Sequence, residues 1–138
     1  MDRVTIIMAT YNGEKYLEEQ IESILSSTYR EFKLYIVDDG SKDSTMEILN
    51  LYKMRYPDII HISRNETNMG VTLNFLNAII KTTSEYIMLC DQDDVWKKDK
   101  IARTLKRMKQ MEVQFGKDMP VAVFTDAYVT DSRLNIIH

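Results

Sequence analysis

The 138-residue chain reads as an α/β protein, a three-layer arrangement in which a mainly parallel sheet is covered by helices on both faces. Two observations predict this. Short apolar, β-branched runs alternate with stretches of helical periodicity, and each apolar run stops at a cluster of Asp, Asn, Gly or Ser. Strands joined through helices pair in parallel, and right-handed crossovers put the helices on the sheet faces.

Residues 4–9 form the first strand, closing at Thr10-Tyr11-Asn12-Gly13. Leu17, Ile21, Ile24 and Leu25 then recur at helical spacing with Glu18, Glu19 and Glu22 opposite, predicting a helix of about fourteen residues. Residues 34–37 are the second strand, closed by Asp38-Asp39-Gly40-Ser41. Ser41 or Ser44 is placed to cap the next helix, whose stripe is Ile48, Leu49 and Tyr52 and which ends before Pro57. Residues 59–62 are the third strand, followed by the loop RNETNMG and a helix from Val71 marked by Leu73, Leu76, Asn77 and Ile80. Residues 86–89 are the fourth strand. Ile101, Leu105 and Met108 mark a further helix, and residues 121–124 are expected to supply a fifth strand. No repeat or linker interrupts the chain, which is read as a single domain over residues 1–138.

Composition narrows the function. Eighteen basic and twenty-one acidic side chains give a net charge of −3, so no overall field draws the protein to nucleic acid. The single cysteine, Cys90, has no internal partner, and there is no Cys/His cluster suited to zinc. A reducing compartment is expected. No leader-like h-region and no apolar run of roughly 18 residues is present, so a cytoplasmic location is expected. Lys97, Lys98, Lys100, Arg103, Lys106, Arg107 and Lys109 make one stretch basic. A solvated face is the plain reading, and peripheral contact with an anionic membrane at its inner face is the other.

Ligands of open α/β sheets bind at the carboxyl ends of the strands, and there the polar clusters collect. Asp91, Asp93 and Asp94 follow the fourth strand with only Gln92 among them. Like charges about 4 Å apart repel by roughly 1 kcal/mol in water and about 4 kcal/mol near a protein surface, so the cluster calls for a counter-charge. Hard oxygens in this number suit Mg2+ or Mn2+ held jointly with substrate phosphates. Asp94 alone would serve as a helix cap. Of Asp38 and Asp39, a turn uses one, leaving the other for a ligand. Tyr11 either packs or stacks on a flat heterocycle, and Arg64 either pairs with phosphate or is solvated. His61 lies within a strand and His138 at the end of the sequence, poor positions for a catalytic base.

Four segments in order, TIIMATYNGEKYLEEQIESILSSTY, LYIVDDGSKDST, NMGVTLNF and YIMLCDQDDVW, resemble the family 2 glycosyltransferases of GT-A, Rossmann-like fold. The DQDDVW form and the segment FTDAYVTDSRLNII look most like bacterial rhamnosyltransferase-type members that build surface polysaccharides. The resemblance implies an inverting transfer of sugar from a nucleotide-diphosphate donor, UDP- or dTDP-linked, to a saccharide or lipid-linked acceptor. It makes Thr10, Tyr11 and Asp39 contacts to the donor base, with Asn12 in the same turn and Arg64 a further candidate. Asp91 would lie near ribose and metal, and Asp93 would be the direct ligand of a divalent cation. Members of the family are much longer, and their catalytic base lies in the second half, which here means beyond His138. The chain is therefore expected to be the donor-binding portion of a longer enzyme. A nucleotide-binding module without catalysis is the alternative. A phosphoacceptor receiver domain fits less well, because it needs an acid pair after the first strand, where this chain has TYNG.

Overall fold

A computed structural model describes residues 4–137; residues 1–3 and His138 lie outside it. Its elements are β1 (Val4–Thr10), α1 (Leu17–Leu25), β2 (Phe32–Asp38), α2 (Thr45–Arg55), β3 (Ile60–Arg64), α3 (Val71–Ile80), β4 (Tyr86–Cys90) and α4 (Lys100–Phe115). The four strands form one parallel sheet in the order β3-β2-β1-β4. The expected α/β architecture is therefore present.

Strand parity explains the layers, because successive side chains point to opposite faces. Ile6 and Met8 of β1 sit beside Leu34 and Ile36 of β2, all fully buried. On this face Gln20 of α1 donates to Cys90 Sγ at 2.6 Å, and Tyr52 of α2 donates to Glu22 of α1 at 2.8 Å. The other face carries Ile7 and Val37, which pack with Ala78, Phe75 and Ile79 of α3. Two crossovers run one way from β1 to β3, and the third returns past β1 to β4 on the opposite side. Right-handedness then puts α3 on the face opposite α1 and α2.

Register sets the functional rim. Thr10 pairs with Asp38, and Asp38 with Arg64, so three strands finish in one row. β4 stops at Cys90, opposite Met8, and the acidic run begins with the next residue. Because strand order reverses between β1 and β4, the loops beyond these two strands diverge and leave a crevice.

Several expectations need correction. The first helix is nine residues long, shortened because residues 14–16 form a turn. Ser44 takes the N-cap position of α2 but its side chain makes no capping bond; Asp43 Oδ1 accepts the Thr45 N–H at 3.0 Å instead, a carboxylate being the stronger acceptor for an unpaired helix amide. Leu73, Leu76 and Ile80 mark a helix correctly but are 52%, 48% and 79% exposed. The core-facing side holds Asn74 and Ala78. Asn74 is buried without penalty because its amide donates to Val37 O and its carbonyl accepts from Asn65, both at 3.0 Å. Residues 121–124 are not a strand: Phe124 is 92% exposed, and among the described residues no strand pairs with the segment, without which apolar content does not make a ladder.

The chain divides into two compact units, residues 1–101 and 102–138. The first contains the sheet. The second holds most of α4 and a terminal segment with one antiparallel bridge, Thr130 to Ile136, around a turn in which Asp131 accepts the Arg133 and Asn135 amides. Among the described residues no helix is long and apolar enough to cross a membrane.

The two faces of the molecule make opposite predictions for truncation. Ile24→Ala, at a fully buried position, should lower unfolding free energy by about 2–5 kcal/mol, whereas Leu73→Ala should change it by less than about 0.5 kcal/mol. Urea titration followed by circular dichroism distinguishes them.

Candidate functional site

A cleft of about 580 Å³ opens at the rim, lined by Ala9, Thr10, Tyr11, Asp39, Asn68, Gly70, Val71, Asn74, Asp91, Gln92 and Asp93. Five of the residues singled out in the sequence, Thr10, Tyr11, Asp39, Asp91 and Asp93, thus share one concavity although they follow three different strands. Asn12 and Arg64 are not in the lining.

The two adjacent aspartates divide their tasks. Asp38 is fully buried. It accepts the amides of Gly40 at 3.2 Å and Ser41 at 2.9 Å, the Ser41 hydroxyl, and the Thr10 hydroxyl at 3.2 Å. Arg64 Nε lies 3.4 Å from it, and Arg64 Nη2 donates to Ser41 O at 2.6 Å. The guanidinium is therefore committed to the loop after β2. Asp39 faces the cleft. Its carboxylate accepts from Asn65 Nδ2 at 2.7 Å, from the Met69 amide at 2.9 Å and from the Gly70 amide at 2.9 Å. Gly70 opens α3 with φ +81°, a left-handed backbone that side chains rarely adopt, and so its amide reaches back to Asp39.

Asn12 serves as the turn residue with φ +48°. Its amide donates to Ser41 Oγ at 2.9 Å and its Oδ1 accepts the Lys42 amide at 2.8 Å. Tyr11 is 43% exposed, which leaves its ring at the mouth of the cleft.

The acidic loop is anchored at both ends. Cys90 is buried against Gln20 and donates to Asp91 O at 3.0 Å. Burial pushes the Cys90 thiol up to about 12, assisted by Asp94 and Asp91 and opposed by the Gln20 hydrogen bond, so it is an inert core group. Downstream, the amide of buried Trp96 donates to Ser23 Oγ at 3.0 Å and Lys98 O accepts the Thr28 amide at 2.8 Å. Asp91 titrates above its ordinary value of 3.8, first because of burial and then because of Asp94 and Asp93. Among the described residues no three His, Cys, Asp or Glu side chains converge to hold a metal. Asp91 and Asp93 supply two oxygen ligands that suit a hard cation completed by phosphate and water, the usual manner of Mg2+.

Sequence reasoning assigned no role to Gln92, Asn65 or Asn74, and chose Asp39 over Asp38 only through the family resemblance. Asn74 had a signal: an amide inside a helix is a weak helix former that competes for backbone groups, so its presence among apolar neighbours marks a tertiary contact. Gln92 had none, because its partner is the backbone of a residue 81 positions away.

The raised Asp91 carries a stability consequence. A carboxyl whose folded pKa exceeds its unfolded value penalises the fold above the folded pKa, and the penalty disappears as pH falls towards 3.8. Asp91→Asn should therefore melt a degree or two higher than the unaltered chain at neutral pH by about the scale expected for a solvent-screened charge, with the difference narrowing on acidification. Differential scanning fluorimetry across pH measures it.

Residues 5–129 match the profile of Glycosyl transferase family 2. Among curated relatives, the dTDP-rhamnosyl transferase RfbG of Shigella flexneri is 37% identical over 102 residues, 71% of this chain and 35% of its own length. The mannosyltransferase PcManGT from Pyrobaculum calidifontis, solved in complex with GDP-Man and Mn2+, has a TM-score of 0.71 and 26% identity over 75% of this chain and 31% of its own. TarS of S. aureus, residues 1-349 in complex with UDP-GlcNAc, has a TM-score of 0.66 and 26% identity over 94% of this chain and 40% of its own. The chain thus spans less than half the length of these relatives. With four motifs in order, the parallel sheet and an acidic cleft at its switch point, the chain belongs to glycosyl transferase family 2.

Proposed function

We propose that this chain is the donor-binding part of an inverting glycosyltransferase that moves a sugar from a UDP- or dTDP-linked donor to an acceptor hydroxyl in bacterial surface polysaccharide synthesis. The observation that carries the reading is that Tyr11, Asp39, Asp91 and Asp93 line one cleft. The exposed Tyr11 ring offers a flat face to a pyrimidine. A carboxylate has about four acceptor sites. Three donors, Asn65, Gly70 and a Met69 amide shared between both oxygens, hold Asp39, and the imide N–H of uracil or thymine suits its remaining acceptor capacity. Cytosine, which lacks that hydrogen at neutral pH, does not. RfbG is named for a dTDP-linked sugar, and TarS is solved with a UDP-linked one, which supports either base.

Asp93 and Asp91 would hold a divalent cation against the donor diphosphate. When bound, the cation offsets charge developing on the departing diphosphate as a Lewis acid. The chain's own residues orient the donor: the stacked base at one end and the acidic pair at the other hold the anomeric carbon for attack from the opposite side. The base that takes the acceptor proton is assigned, as in the family, to the longer enzyme rather than to a residue of this chain. Saccharide or lipid-linked acceptors suit the resemblance to rhamnosyltransferase-type members. The basic residues that open α4 suit peripheral contact with an anionic membrane, in the cytoplasm at its inner face.

Calorimetry tests the reading. UDP or dTDP should bind more tightly with Mn2+ than without. Asp93→Ala should abolish that dependence and weaken binding in Mn2+ by about tenfold or more, some 1.4 kcal/mol. Equal affinity with and without Mn2+, or in the variant, counts against it. CDP should bind more weakly than UDP.

A further inference from the structure

Gln92 is the only uncharged member of the run from Asp91 to Asp94, and its side chain does not point idly into solvent. The Tyr11 amide donates to Gln92 Oε1 at 3.0 Å, and Gln92 Nε2 donates to Tyr11 O at 3.1 Å. One primary amide therefore grips both polar groups of one residue's backbone. Only an amide supplies an acceptor and a donor side by side; glutamate cannot donate and methionine does neither well.

Gly13 makes room for this grip. A Cβ built there would lie 2.1 Å from Gln92 Oε1 and 2.6 Å from its Cδ, and the three nearest atoms all belong to Gln92. Gly13 does not share the positive φ of Gly40, Gly70 and Gly116, so its backbone alone would accept alanine. A methyl at position 13 would instead push the end of the Gln92 side chain off Tyr11.

The rest of the loop is tied the other way. Asn12 is bonded to Ser41 and Lys42, and the Gly13 amide donates to Thr45 Oγ1 at 2.8 Å. Tyr11 is thus where the loop after β4 takes hold of the loop after β1. The ring offered to a base and the carboxylates offered to a cation are joined directly, through two hydrogen bonds, across the crevice at which the strand order reverses.

We propose that Gln92 is a positioning residue for the nucleoside diphosphate: its two-point hold on Tyr11 fixes the separation between the nucleobase platform and Asp91 and Asp93. The inference rests on the donor-binding reading above. Two partly exposed hydrogen bonds add little net stability, whereas a ligand that must meet both ends of the cleft is sensitive to their spacing.

Four proteins test it: the unaltered chain, Gln92→Ala, Gly13→Ala and the double variant. Each is titrated with UDP in Mn2+ by calorimetry and melted without ligand. Each single substitution should weaken UDP binding by about tenfold with little change in melting temperature. The double variant should bind no worse than Gln92→Ala alone, because the clash at position 13 vanishes once the amide is gone. Additive losses, or single variants that bind like the unaltered chain, overturn the inference and leave the functional reading standing. Failure of the unaltered chain to bind either UDP or dTDP overturns both.

Discussion

The constraint on which everything else depends is the parallel pairing of β1 with β2 on one side and β4 on the other. A parallel sheet sends every strand's carboxyl end to the same edge, and a reversal of strand order forces neighbouring loops apart at one place. Nothing in the chemistry of tyrosine or aspartate brings Tyr11, Asp39 and Asp93 together. The backbone ladder does so, at the cost of burying both faces of β1, where Ile6, Ile7 and Met8 are wholly excluded from water. At about 25 cal/mol per Å² of apolar surface, such strands contribute strongly to the core and leave the loops to carry function.

Those loops are made rigid by polar side chains rather than by packing. Buried Asp38 gathers the amides and hydroxyls of the loop after β2, and Arg64 balances its charge. Asp39 does the same for the entrance to α3. In each case a carboxylate satisfies several backbone donors at once, which is how a segment without regular structure avoids unpaired buried amides. Asp91 is the exception. Burial first, and then Asp94 and Asp93, raise its pKa above the ordinary carboxylate value.

The elements that local pattern governs were legible in the sequence. The four strands and their order of appearance, the helices after Gly13 and Val71, and the convergence of TYNG, DDGS and DQDD follow from periodicity, turn chemistry and the strand-end rule. What escaped depends on partners distant in the chain. The apolar residues of α3 specify a helix but not which side faces the sheet, because Asn74 takes the core side through bonds to Val37 and Asn65. Residues 121–124 have strand composition without a partner. For Arg64 the sequence left phosphate pairing and solvation open, and its ion pair with Asp38 depends on a strand neighbour that local pattern does not reveal. Gln92 could be interpreted only once Tyr11 and Gly13 were known to stand beside it.

The outward side of α3 has a practical corollary. Leu73, Leu76 and Ile80, spaced to share one side of the helix, are each about half exposed or more, and an apolar strip of this kind is adhesive. A net charge of −3 offers little colloidal repulsion to oppose it. Concentrated solutions of this polypeptide will accordingly tolerate sulfate and phosphate buffers poorly, since both salts strengthen apolar association, and mild chaotropic or low-salt conditions will keep it dispersed.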